Sequence, residues 1–193
     1  MYRKCTTEKT AFQQKQFEKV LLESMLEMPY KEITVSELCR KTGLTRNIFY
    51  RLFEEKDDVL YALLDHTIME FSTFAANTQT KNPNLQQLEA FLIYWDHHRN
   101  ILDALDKNEI SNRLIERTFF YALNENGEFL RHLNVAPEDG QTEKALFAIN
   151  GLISTIVYWH HVGNQKSPME KAAALFKLIT EPMVDMSAIA EQV

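Results

Sequence analysis

Residues 30–60 read YKEITVSELCRKTGLTRNIFYRLFEEKDDVL, and the fold turns on this stretch. Thr34-Val35-Ser36-Glu37 has the form of a capping box. A hydroxyl and a carboxylate one turn apart satisfy the orphan amides of a helix start. The helix so begun runs to Thr42, where Gly43 supplies the turn. Thr45 is a natural N-cap for the next helix, residues 46–53. Val35, Leu38, Cys39, Leu44, Ile48, Phe49 and Phe53 fall at spacings that pack the two helices together. The second helix then projects Arg46, Asn47, Tyr50 and Arg51 outward.

That outward set is the chemistry of a major-groove reader. Arginine binds guanine O6 and N7 bidentately, and asparagine binds adenine N6 and N7. Tyrosine and lysine hold phosphates and set register. The plain alternative is a structural hairpin with a basic outer face. Cap, turn glycine, apolar spacing and exposed polar set all agree with the DNA-reading form.

Upstream, Phe17, Val20, Leu21, Met25 and Met28 recur at three- and four-residue spacing, so the first helix covers about residues 12–28, and Pro29 ends it. Downstream, a fourth helix starts near Lys56, with Asp57 and Asp58 in its first turn. Its apolar face is Leu60, Leu63, Leu64, Thr67, Ile68, Phe71 and Phe74. No glycine or proline interrupts residues 44–82, so one unbroken helix is expected to leave the head and enter the rest of the chain. Further helices are expected over about 84–107 (with a break near 97–100), 110–124, 128–134, 141–162 and 168–186. Turns are expected at 82–83, 124–127, 136–140 and 163–167. Pro168 suits a first helical position.

Charge is unevenly spread over the 193 residues. The net value is −6, but residues 1–56 hold 11 Lys+Arg against 8 Asp+Glu, and residues 57–193 hold 10 against 19. Arg40, Lys41, Arg46 and Arg51 sit together with no acid between them. A basic head (residues 1–55) on an acidic body (residues 56–193) is the footprint of nucleic-acid binding. The two cysteines, Cys5 and Cys39, have no zinc or redox spacing and suit a reducing cytoplasm. No apolar run spans a membrane, and residues 1–10 lack the apolar segment of a secretory signal.

The segment resembles the DNA-binding domain of the TetR family of bacterial transcription regulators. The resemblance lies in Tyr30, Thr34-Val35, Leu38-Cys39, Gly43, Thr45, Phe49-Tyr50, Phe53 and Lys56. It implies that Arg46, Asn47, Ile48 and Arg51 face bases, and that Thr34, Thr45, Tyr50 and Lys56 contact phosphates. Asn47 stands where the family often has glycine, and Leu52 where it often has a DNA-contacting histidine. The stretch IVYWHHVGNQKSPMEKAAALFKLI, residues 156–179, resembles the family's last two helices, which pair with their copies in a dimeric four-helix bundle. Leu152, Ile153, Ile156, Leu175, Phe176 and Ile179 read equally as plain core. An all-α fold and a homodimer on palindromic double-stranded DNA follow from the resemblance.

The resemblance also implies a ligand cavity among the middle helices. Phe71, Phe91, Tyr94, Trp95, His98 and Phe120 are the candidate lining, and the same aromatic stripe reads equally as core. The doublets His97-His98 and His160-His161 each offer one ligand at most to a given metal site, because helical neighbours diverge by about 100°. No metal and no cofactor is expected. A repressor released from its operator by a small molecule is the leading reading. One alternative is a DNA-binding protein controlled by a protein partner. The other is an all-helical enzyme, for which no nucleophile elbow, phosphate loop, dinucleotide fingerprint or metal helix motif is present.

Overall fold

The computed structural model describes residues 2, 3, 5–76, 83–124 and 141–180. Its elements are α1 (Glu8–Glu27), a 3-10 turn (Tyr30–Glu32), α2 (Val35–Thr42), α3 (Arg46–Leu52), α4 (Lys56–Ala76), α5 (Pro83–His97), α6 (Arg99–Lys107), α7 (Asn112–Asn124), α8 (Gln141–His161) and α9 (Pro168–Thr180). The expected helix over 128–134, the turns at 124–127 and 136–140, and the far ends of the expected fourth and last helices lie outside the described residues.

Local chemistry sets most of the boundaries. Thr7 caps α1, accepting from the Thr10 amide, while the Thr10 hydroxyl is the N3 partner that completes a capping box. The box expected at Thr34 forms only by half. Thr34 Oγ1 accepts from the Glu37 amide at 3.2 Å, and among the described residues the Glu37 carboxylate returns no bond. Gly43 ends α2 in the left-handed region at φ +71°, a conformation that costs residues with a Cβ. Asp58 accepts from the Glu54 amide and so caps the start of α4. Pro83 and Pro168 each occupy the first position of a helix, where a missing N–H does no harm. The expected break near residue 98 is there, with His98 between α5 and α6.

Phe17, Leu21 and Met25 of α1, Leu38 and Cys39 of α2, and Phe49, Leu52 and Phe53 form one buried cluster. Phe17 meets Phe49 and Phe53 edge-on, at ring separations of 5.3 and 5.8 Å. The sequence suggests one apolar face for α4, but Val59, Leu60, Ala62, Leu63, Leu64, Asp65, Thr67 and Ile68 are all buried. Over this stretch the helix is enclosed because α1, α5 and α7 pack around it, whereas Glu70, Thr73 and Phe74 beyond it are exposed. It therefore joins the head to the body as a core element.

Candidate nucleic-acid interface

The short helix α3 divides cleanly by face. Phe49 and Leu52 point inward, while Arg46, Asn47, Tyr50 and Arg51 are exposed. Ile48 is half-buried and packs against the core, so it stands at the edge of that face. Leu52 is only 3% exposed, which leaves this position as core and removes it from any backbone contact.

Thr45 Oγ1 accepts from the Ile48 amide at 3.3 Å and fixes the start of α3. Because Thr34 and Thr45 cap as acceptors, each hydroxyl keeps its hydrogen for donation to a phosphate oxygen. Both threonines are exposed. The Arg46 guanidinium lies beside the Tyr50 hydroxyl, which raises its already high pKa, so its charge is permanent.

Two of the sequence-named residues are tied into the protein. Arg51 Nη2 donates to Gln13 Oε1 at 2.9 Å, fastening α3 to α1. A guanidinium has five donors, so the remaining ones are available. Lys56 Nζ donates to the carbonyls of Tyr30 (2.5 Å) and Ile33 (2.9 Å) and sits 4.1 Å from the centre of the Tyr30 ring. Burial lowers the Lys56 pKa from its ordinary value. Lys56 thus holds the C-terminal end of the 3-10 turn, and a phosphate would have only its third donor.

Lys56→Met is therefore expected to lower stability by about 1–2 kcal/mol through the lost charge-assisted bonds. Thermal melting measures it. A side chain that served only DNA would leave the melting temperature where it is.

A second joint was not legible in the sequence. Asn108, at the end of α6, accepts from the Tyr30 amide at 2.5 Å and donates to the Met25 and Ala104 carbonyls at 3.0 and 2.7 Å. Lys107 Nζ donates to the Leu26 carbonyl. Glu109 adopts φ +58°, the left-handed conformation that ends α6 there. The Tyr30 hydroxyl donates to Asp57 at 2.6 Å, and Arg113 of α7 lies 3.7 Å from the same carboxylate. The turn before α2 is thus held by α4, by the end of α6 and, through Asp57, by α7.

No protein-family model matches the sequence, and no curated protein matches it. Among solved structures, the chain is similar to a TetR-family transcriptional regulator from Streptomyces coelicolor. The two share 17% sequence identity with a TM-score of 0.51, over 84% of this chain and 78% of that one. The fold is that of a TetR-family regulator. In that fold α2 and α3 are two short helices joined at Gly43, with the polar face of α3 turned outward.

Phe71, Phe91, Tyr94, Trp95 and His98 come together, but as a packed stack. Phe71 lies 5.4 Å from Phe91 and 5.3 Å from Tyr94, and Tyr94 lies 4.2 Å from His98, ring centre to ring centre. The Tyr94 hydroxyl donates to the Thr67 carbonyl on α4 at 2.6 Å, and His98 Nδ1 lies 2.8 Å from the Tyr94 carbonyl. Phe120 stands with a different group, its ring 4.4 Å from the Arg117 guanidinium. His160 and His161 pair with Asp103 and Asp106, at 3.0 and 2.7 Å. Among the described residues no three metal-ligating side chains cluster, and no helix is long and apolar enough to cross a membrane.

Proposed function

We propose that this protein is a sequence-specific DNA-binding transcription regulator, a repressor that a small molecule releases from a palindromic operator. The supporting observation is the exposed face of α3. Arg46 stands there without an ion pair among the described residues, with Asn47 exposed beside it, on a helix whose other face is locked in the core. Arg46, Asn47 and Arg51 specify bases in this reading. Thr34, Thr45 and Tyr50 hold phosphates, with Lys56 bracing the turn behind them and lending one donor. The protein is not an enzyme in this reading and works in the cytoplasm.

The reading includes a homodimer through α8 and α9. Ile153, Ile156 and Leu175 are buried within the protomer, whereas Phe147, Tyr158, Val162 and Met169 are 51–71% exposed. On α8 the exposed residues Phe147, Gly151, Ser154 and Tyr158 follow three- and four-residue steps along one face, and Val162 follows just past its end. A stripe of that kind is what a second copy covers. Gly151 has open space around it, which lets a partner helix come close.

Selection of bound sites from random duplex DNA tests the whole reading. The expected product is a near-palindrome bound by two copies, since two symmetric heads require symmetric half-sites. No enrichment, or a single half-site bound by a monomer, would overturn it.

A further inference from the structure

The aromatic stack is filled, but a cleft opens beside it where α5 and α6 meet α8 and α9. Trp95 and Trp159 both line it, with Leu92, Leu102 and Ile156 as its apolar floor. Arg99 and Lys171 stand at its polar side, together with Asp96. Neither cation has an ion pair within 4 Å among the described residues, and Lys171 Nζ lies 6.0 Å from the centre of the Trp159 ring. Two bases against one acid leave the cleft one positive charge in excess. We propose that this cleft binds a small carboxylate with a flat apolar body, its anion held by Arg99 and Lys171 and its body laid against Trp159, with the buried Trp95 in the wall behind.

The electrostatics agree with an anion. Burial first, and the neighbouring Arg99 second, push the Lys171 ammonium below its ordinary pKa, while Asp96 pulls the other way. A carboxylate between the two cations relieves their repulsion, and charge-assisted bonds to a carboxylate are about twice as strong as neutral ones. Indole faces beside a cation suit a planar apolar group. His160, also in the lining, is engaged by Asp103 at 3.0 Å and is less free to receive the anion. As the effector site of a regulator, the cleft rests on the function proposed above; binding itself does not.

The chain contains two tryptophans, Trp95 and Trp159, so tryptophan emission reports on this cleft directly. Benzoate and phenylacetate are titrated into the full-length protein, with benzamide, phenylacetamide and acetate as comparisons. The acids are expected to give a saturable change below about 10 mM. The neutral amides, and acetate without a ring, are expected to bind at least about tenfold more weakly. Arg99→Gln and Lys171→Gln should each weaken the acids about tenfold at an unchanged melting temperature. Where a glutamine variant melts early, Arg99→Lys and Lys171→Arg keep the charge and are expected to keep the binding. The proposal is overturned if no acid saturates the signal, if acids and amides bind alike, if acetate binds as well as benzoate, or if both glutamine variants bind as the parent does. Operator selection uses none of these residues, so its failure and the failure of the cleft are separate results.

Discussion

Arg117→Ala is expected to destabilise the protein by about 3–5 kcal/mol, because it strands a charge in the core. Asp65 of α4 is fully buried and Arg117 of α7 is 9% exposed. Their contact is bidentate, with Nε to Oδ1 at 2.7 Å and Nη2 to Oδ2 at 2.5 Å. The Tyr2 hydroxyl adds a third bond to the same carboxylate at 2.8 Å. Burial pushes the Asp65 pKa up, and the Arg117 guanidinium is the largest influence opposing it. Without the guanidinium, only the Tyr2 hydrogen bond and nearby His66 oppose burial. Urea unfolding measures the loss. The double variant Arg117→Met with Asp65→Leu should regain most of it, since an apolar pair of similar volume avoids both desolvation costs. Equal losses in the single and double variants would show that the ion pair is not what the site depends on.

Arg46→Ala is expected to have the largest effect on DNA. Losing a bidentate base contact weakens binding by about ten- to a hundredfold per half-site. A symmetric dimer loses two such contacts, so the loss grows to about 100- to 10,000-fold. Preference at one base position of each half-site should relax with it. The fold should be untouched, because the Arg46 side chain is exposed and caps nothing. Operator titration beside a repeated site selection decides the matter. A uniform loss on every sequence, with the selected motif unchanged, would make Arg46 a phosphate contact. Arg51→Ala should behave differently, since its bond to Gln13 ties α3 to α1. Weaker DNA binding there should come with a lower melting temperature.

The helix-turn-helix was legible because its determinants are local. A capping threonine acts three residues ahead, a left-handed glycine acts where it stands, and the inward Leu38, Cys39, Phe49 and Phe53 are set by helical periodicity. The same reasoning placed the starts of α2, α3, α4 and α9. What it assigned to Lys56 was incomplete for a related reason. A lysine opening a helix looks like a phosphate contact until the chain turns back and puts the carbonyls of Tyr30 and Ile33 beside it.

The body was legible as helices but not as surfaces. Periodicity tells which residues of α4 are apolar, yet only the docking of α1, α5 and α7 around it decides that the stretch from Asp58 to Ile68 is mostly buried while Glu70, Thr73 and Phe74 stay exposed. Phe71, Phe91, Tyr94 and His98 are the same aromatic set whether they wall a cavity or fill it. Their ring contacts with one another come from the packing of α4 against α5 and from neighbouring turns of α5. Asp65 with Arg117, Asn108 with Tyr30, and Arg99 with Lys171 lie 52, 78 and 72 residues apart in the chain. Pairs so distant leave no pattern in one sequence, because nothing but the tertiary packing of their helices brings them together. Sequence alone determined most of the described helices, the capping threonines Thr34 and Thr45 and the exposed polar face of α3. The tertiary structure decided which charges are buried, which aromatics are spent on one another, and where a cleft remains.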